Sequence, residues 1–344
     1  MTSMSHSNEK TISIIAPNIK NGGGLELLDY LLFHLENKYD NINVEVYIDK
    51  SLSHIKSTKN RKAIFLSSNF GKIKLFYKKI DNAIYFGNLP PLRKSANSTV
   101  YFHNPYLIMD IGSLYTESIN FLIKYSFQKA YLDCFLSNVD VIACQNDRMK
   151  KAIDSRYGHA NIEVIPFYRI CPKQAKACKN KYDLCYVSLA HPHKNHKLLF
   201  DALEVLGKKD LLINIAVTID SSNKKLVSQL NYINNRYRIN ITNLGVISKN
   251  DVCLLYQESK CLIFPSHKET FGLPLIEAME MGLDVIAPDL EYVYEIISPS
   301  FIFNPFSVSS CANVIEKYMN SDNPPKSIGK IENKLDFLIN KYVR

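Results

Sequence analysis

At 344 residues and 39.4 kDa the chain is longer than one hydrophobic core usually serves, so two domains of ordinary size are expected rather than a small binding module. An apolar share of 46% with 22% charged residues excludes collagen-like, coiled-coil and disordered chains. The 42 Lys and Arg against 33 Asp and Glu leave a net charge of +9, which suits nucleic acid, anionic lipid, a phosphorylated small molecule or a plain solvated surface without choosing among them. Residues 1–172 carry 21 basic and 15 acidic side chains (+6), and residues 173–344 carry 21 and 18 (+3). Apolar runs stay far below the ~18 residues that span a bilayer. The polar first eleven residues carry no secretory apolar stretch, and eight cysteines without a C-x-x-C pair suit a reducing compartment better than a disulfide framework.

Along the chain, short β-branched and aromatic runs alternate with helical patterns, as parallel βαβ units do. Strands are predicted over 11–16, 43–48, 63–67, 72–77, 83–86, 99–103, 139–144 and 162–166, with helices over 25–35, 114–136 and 148–157. After a basic, irregular stretch at 169–181 the pattern restarts. Strands are predicted over 183–188, 211–218, 243–247, 261–264 and 284–287, and helices over 196–206, 224–235, 251–258 and 274–281, with a last helix over 331–342.

The stretch Phe264-Pro-Ser-His-Lys-Glu-Thr-Phe-Gly-Leu-Pro-Leu-Ile-Glu-Ala-Met-Glu-Met-Gly concentrates the chemistry. A strand ends near Pro265, Gly272 lets backbone approach a ligand, and Pro274 stands where a helix begins. The amides of Thr270, Phe271, Gly272 and Leu273 then point out of a helix N-terminus, an anion site carrying roughly half a positive charge. Glu277 is expected in the first turn of that helix, and Gly282 closes it. Glu269 and Glu277 are the chain's only Glu pair eight residues apart, a spacing that alone is a weak signal.

With its flanks, the string E-x-F-G-L-P-x-x-E-A-M-x-x-G closely resembles the E-x7-E signature of the retaining glycosyltransferases of family four, which have the GT-B fold. The likeness extends to Asp183-Leu-Cys-Tyr-Val-Ser with His191-Pro-His-Lys-Asn-His, to Asn243-Leu-Gly-Val-Ile-Ser with Leu254-Leu-Tyr-Gln-Glu-Ser-Lys, and to Asn21-Gly-Gly-Gly, Phe102-His-Asn-Pro and Val139-Asp-Val-Ile-Ala-Cys-Gln-Asn. The resemblance implies an α/β, GT-B architecture of two Rossmann-like βα domains facing a central cleft. Residues 1–168 would form the acceptor domain, 169–181 a linker, 182–328 the donor domain, and 329–344 a helix crossing back to the first domain.

The resemblance also implies roles. Lys194 and the glycine-rich loop of Gly23 and Gly24 would meet the donor diphosphate with Ser188 and the amides of Thr270 to Leu273, while the backbone around Val246 reads the base. Glu277 would accept from the ribose hydroxyls, Glu269 would contact the transferred sugar, and His103 would approach it from the other domain. Neither metal nor cofactor is implied; a nucleotide diphosphate sugar is the co-substrate. Family members commonly carry an Arg about six residues before the Lys, where this chain has Ser188. Either His191 or His193 replaces it, or the site leans on Lys194 and the helix N-terminus.

Each residue also has a plainer reading: the glutamates as surface carboxylates, Lys194 as a surface lysine, His103 as a core histidine, the glycines as a turn. A zinc site from His191, His193 and His196 would need further ligands, with only Cys171, Cys178 and Cys185 nearby. The expectation is a cytoplasmic enzyme, peripheral on the inner face of the membrane. It would move a hexosyl group to a lipid-linked saccharide in O-antigen or capsule assembly, with an anionic membrane surface, and no nucleic acid, as further partner. The basic cluster Lys59, Arg61, Lys62, Lys72, Lys74, Lys78 and Lys79 would face that membrane. The rivals are a nucleotide-sugar epimerase of the same fold and a basic nucleic-acid-binding protein, for which the alternating 72–79 segment reads instead as a strand with one wet face.

Overall fold

The computed structural model describes residues 10–39, 41–104, 107, 119–158, 160–172 and 180–343. The chain divides into two compact units: one runs to Arg169 and takes back the chain from Glu332, and the other is Ile170–Ile331. Most of the expected linker (173–179) and the expected helix start at 114–118 lie outside the described residues.

The first unit is built from β1 (Thr11–Ala16), α1 (Gly22–Lys38), β2 (Asn43–Asp49), β3 (Arg61–Leu66), α2 (Asn69–Tyr77), β4 (Ala83–Phe86), β5 (Ser98–Phe102), α3 (Ile119–Phe135), β6 (Val141–Cys144), α4 (Asp147–Tyr157) and β7 (Ile162–Val164). Its seven strands form one parallel sheet in the order β3-β2-β1-β4-β5-β6-β7. Strands β1, β4 and β5 are almost wholly buried, as continuous apolar runs flanked by helices on both faces must be. The order reverses between β1 and β4, so the loops following them flank the crevice that parallel sheets offer to ligands.

The second unit repeats the plan with β8 (Tyr182–Tyr186), α5 (His196–Gly207), β9 (Ile213–Val217), α6 (Lys224–Arg236), β10 (Ile239–Asn243), α7 (Lys249–Glu258), β11 (Ser259–Ile263), α8 (Leu273–Glu280), β12 (Asp284–Pro288), α9 (Glu291–Ile296), β13 (Ile297–Ser298), β14 (Phe301–Phe303), α10 (Val308–Met319) and β15 (Ile328–Gly329). Its main sheet runs β10-β9-β8-β11-β12-β14, all parallel, with the reversal between β8 and β11; β13 and β15 pair separately and antiparallel. The final helix, α11 (Leu335–Val343), packs on the first unit. Its Asp336 meets His34 at 2.7 Å and Lys38 at 2.5 Å, and Lys341 pairs with Glu163 at 2.7 Å. Buried Tyr342 donates to Thr99 Oγ1 at 2.6 Å.

Three expectations are corrected. Residues 72–77 are not a strand but most of helix α2: Ser68 caps it by accepting from Gly71 N at 3.0 Å, and Leu75 and Phe76 turn to the core together, which the alternation of a strand would forbid. The strand expected at 243–247 ends at Asn243. The Asn243 side chain accepts from Ile219 N (2.9 Å) and Gly245 N (3.1 Å), and Gly245, at φ +68°, turns the chain away. Finally, a disulfide joins Cys171 to Cys253 on α7, with Cα atoms 5.4 Å apart, contrary to the disulfide-free reading; 82 residues separate the pair, so only the fold reveals it.

Candidate active site

In the second unit, both loops that leave β8 and β11 at the sheet's reversal carry predicted residues. The loop after β8 ends in a helical turn, Pro192–Lys194, with Asn195 in the left-handed region at φ +55°. Tyr186 closes it by donating its hydroxyl to Lys194 O at 2.5 Å. The loop after β11 is stitched to this turn: His267 N donates to His193 O at 2.8 Å, and the Asn195 amide meets His267 Nε2 at 2.6 Å. Buried Tyr292 donates to Ser266 O at 2.7 Å from behind.

This stitching brings Lys194 and Glu269 together. Lys194 Nζ lies 2.5 Å from Glu269 Oε1, with the two side chains 16% and 12% exposed, and 5.7 Å from the centre of the Phe264 ring. Two residues of opposite charge, 75 apart in sequence, therefore form one partly desolvated pair at the mouth of the switch point. His193 beside them has its imidazole pushed down, first by burial and then by the Lys194 charge, which favours its neutral form.

Helix α8 starts at Leu273 because Gly272, at φ +66°, reverses the chain and Pro274 favours the helical φ of the first turn. A Cβ at Gly272 would lie 3.2 Å from Leu275 Cδ1. Thr270 and Phe271 lead into the turn, Phe271 being buried. Glu277 is consequently the fifth helical residue, in the second turn rather than the expected first, and it is only 3% exposed. It is held inside by Lys249, the first residue of α7, whose ammonium contacts Oε1, and by Tyr256 two turns further along the same helix, whose hydroxyl donates to Oε2 at 3.3 Å. Sequence reasoning missed Lys249; Tyr256 stood in a quoted string without a role. Seven residues apart, they share one face of α7, a signal that needs Glu277 as partner before it means anything.

Ser188 lies in the loop after β8 and Val246 in the turn after β10. Ser188 N donates to Thr218 Oγ1 at 3.0 Å, so this residue ties the β8 loop to the end of β9. Val246 is 67% exposed in the turn after β10. Of the histidines, His196 is buried with its ring centre 4.6 Å from that of Tyr186, His191 and His193 stack on each other, and Cys171 is bonded to Cys253.

The first unit gathers a second, neutral set at its own reversal. Gly22 to Gly24 are not a loop: they are the first turn of α1, entered through extended Asn21 with Gly22 at φ +68°. A Cβ at Gly24 would sit 2.9 Å from His103 Nε2, so any larger residue would have to displace that ring. His103 follows β5, stacks on Phe86 at 5.5 Å, and is clamped by Asn88, which sequence reasoning also missed. Asn88 Oδ1 accepts from His103 N (2.8 Å) and Asn104 N (3.0 Å), which turns its Nδ2 toward His103 Nε2 at 3.4 Å. An amide fixed in this sense can donate to Nε2, which assigns the proton to Nδ1, a buried nitrogen with no hydrogen-bond partner among the described residues. Burial pushes the imidazole down to about 4, so it is neutral across the physiological range.

Comparison with known proteins agrees with this geometry. The sequence model of the family described as "Glycosyl transferases group 1" matches residues 170–334. The chain is 23% identical over 252 residues to the O-antigen chain mannosyltransferase RfbU of Salmonella typhimurium, a match covering 71% of this chain and 65% of that protein, so just under two thirds of the relative's length is spanned. It is 21% identical over 315 residues to the capsular polysaccharide biosynthesis glycosyltransferase CapM of Staphylococcus aureus, covering 83% of this chain and 82% of that one. The solved structure of WaaG, a glycosyltransferase involved in lipopolysaccharide biosynthesis, matches with a TM-score of 0.63 at 13% identity, over 97% of this chain and 94% of that one. The chain therefore has the GT-B fold of two parallel-sheet α/β domains, and its second unit matches the sequence model of the group 1 glycosyl transferases.

Proposed function

We propose that the chain is a retaining, metal-independent glycosyltransferase that moves a hexosyl group from a nucleotide diphosphate sugar to a lipid-linked saccharide, in the assembly of an O-antigen or capsule. The single observation that carries the reading is the Lys194–Glu269 pair beside the N-terminus of α8. The named roles of RfbU and CapM support the choice of acceptor class. A lipid-linked acceptor places the work of the enzyme at a membrane surface.

Heterolysis of the anomeric C–O bond sends its electron pair to the departing diphosphate, and stabilising that charge is the main task. A diphosphate competes with Glu269 for the Lys194 ammonium and accepts from the amides of Phe271 to Leu273, where the helix end adds its partial positive charge. Losing its lysine frees Glu269 to take hydrogen bonds from the sugar, so donor binding and sugar positioning are coupled through one ion pair. Glu277, already neutralised by Lys249, receives the ribose hydroxyls. His103, held neutral with its proton on Nδ1, serves as a hydrogen-bonding group and not as a cation. The acceptor oxygen bonds the anomeric carbon as its proton passes to the departing phosphate oxygen.

A thermal-shift and calorimetric screen with UDP, GDP, dTDP and their sugar conjugates tests the reading, because a ligand of the native state raises its melting temperature. Binding of one nucleoside diphosphate, abolished in Lys194→Ala and retained in EDTA, is expected. No binding by the intact protein, or turnover lost in EDTA and restored by a divalent ion, would overturn it. Turnover of a sugar nucleotide without acceptor would favour the epimerase.

A further inference from the structure

Helix α7 carries a covalent bond in the middle of the face that holds Glu277. Lys249, Cys253 and Tyr256 stand at i, i+4 and i+7, one side of the helix. Lys249 and Tyr256 reach the two oxygens of the buried Glu277 carboxylate, and Cys253 between them is bonded to Cys171. Both cysteines are buried. Cys171 is the second residue of the second unit, directly after Ile170, where the chain enters it. The disulfide therefore joins the entering segment to the helix that supplies two partners of one carboxylate.

Lys249 is the first residue of α7, at a position where helices fray, and an end that frays lets go of Glu277. A cross-link one turn further in limits that fraying. The bond also closes a loop of 82 residues, which restricts the unfolded chain and adds stability wherever such a bond lies. Stability is thus no measure of what the bond does for α7, whereas the grip on Glu277 is. Among the described residues of this unit the other cysteines are Cys185, Cys261 and Cys311. Burial pushes the thiols of Cys185 and Cys311 up to about 12 and that of Cys261 higher still, so they are poor partners in thiol exchange.

We propose that Cys171 and Cys253 form a reversible dithiol–disulfide site that sets the affinity for the nucleotide donor, high when oxidised and lower when reduced. This rests on the reading of Glu277 as the ribose contact and adds regulation to it. A dithiol reductant opens the site by exchange. One of its thiolates attacks Cys171 Sγ when the entering segment lifts, the Cys171–Cys253 bond breaks, and Cys253 leaves as a thiolate that takes a proton. The second thiolate of the reductant then displaces Cys171 from the mixed disulfide. Two electrons and two protons pass to the pair, and the reductant becomes a disulfide. Closure is the reverse exchange with an oxidised dithiol. Once reduced, α7 holds Lys249 and Tyr256 less firmly on Glu277, and the ribose meets a carboxylate that is no longer fixed. Linkage makes the effect reciprocal: bound nucleotide favours the disulfide by the same factor.

UDP, GDP and dTDP are titrated calorimetrically into the full chain in oxidised and in reduced dithiothreitol, with maleimide labelling of each sample after denaturation. Two fewer labels are expected on the oxidised protein, and the affinity for the nucleotide that binds should fall at least ~5-fold on reduction. Cys171→Ser and Cys253→Ser should each show the weaker affinity in both buffers. Cys134→Ser, at an exposed cysteine of the first unit, should respond as the native chain does. In graded dithiothreitol mixtures, saturating nucleotide should move the midpoint of reduction by the factor that reduction takes from the affinity. Equal label counts in the two buffers, equal affinities despite a changed count, a response that survives in Cys253→Ser, or reduced native protein that no longer melts cooperatively would each overturn the proposal. Absence of nucleotide binding in both buffers would overturn the donor assignment together with this one, whereas equal binding in both removes the regulation alone.

Discussion

The two sheet reversals are built alike and furnished differently. At the reversal of the second unit, opposite charges meet in pairs: Lys194 with Glu269, Lys249 with Glu277. At that of the first unit, the groups are an amide, a neutral imidazole and a glycine. One topology thus carries two different chemistries of side chain. Paired charges with little exposure can be exchanged for those of an anionic ligand, whereas neutral groups fixed by hydrogen bonds set position without attracting charge.

The difference is broken most sharply at Lys194. Lys194→Ala should lower turnover by at least ~10², the scale for one preorganised donor to a developing anion; near-normal steady-state rates would move the phosphate site elsewhere. At the second pair, Lys249→Met leaves the carboxylate of Glu277 buried without its cation, which costs about 3 kcal/mol. A denaturant titration should register that loss, and the double variant Lys249→Met, Glu277→Gln should regain most of it, while Lys249→Arg keeps both stability and nucleotide affinity. Loss without recovery would mean that Lys249 packs rather than neutralises.

In the first unit the expected effect is geometric. Gly24→Ala drives a methyl group against His103 and should reduce turnover roughly tenfold while nucleoside diphosphate binding stays the same, which would take Gly24 out of the diphosphate contact expected from the sequence. A matching drop in affinity would undo the division of labour. The smallest effect is in pH. Because the folded His103 is pushed from 6.5 to about 4, the unfolded state binds more protons between those values, so stability should rise with pH across that window. His196, also pushed down to about 4 by burial, contributes in the same sense. The slope should flatten in His103→Gln and in His196→Gln, and an unchanged slope in His103→Gln would place that imidazole in water.

Much of the fold was legible because buried parallel strands are continuous apolar runs with glycine and proline at their ends. Segment 72–77 was not: Ile73, Leu75 and Tyr77 alternate with lysines, a pattern that fits a strand until Ser68 is seen capping a helix. At the site, Glu269, Gly272 and Lys194 stood out by spacing and flanks. Asn88 and Lys249 did not, since an asparagine after a glycine and a lysine at a helix start are ordinary in any sequence.

By itself the sequence determined two βα arrays and the helix start that follows Gly272. Both depend on residues near one another in the chain, where backbone sterics and periodicity act. Only the tertiary structure decided which charges pair, that Glu277 is buried in the second turn, that Cys171 meets Cys253, and that α2 turns Leu75 and Phe76 to the core. Those outcomes join residues dozens of positions apart, or depend on which helix face finds the core, and no local pattern encodes either.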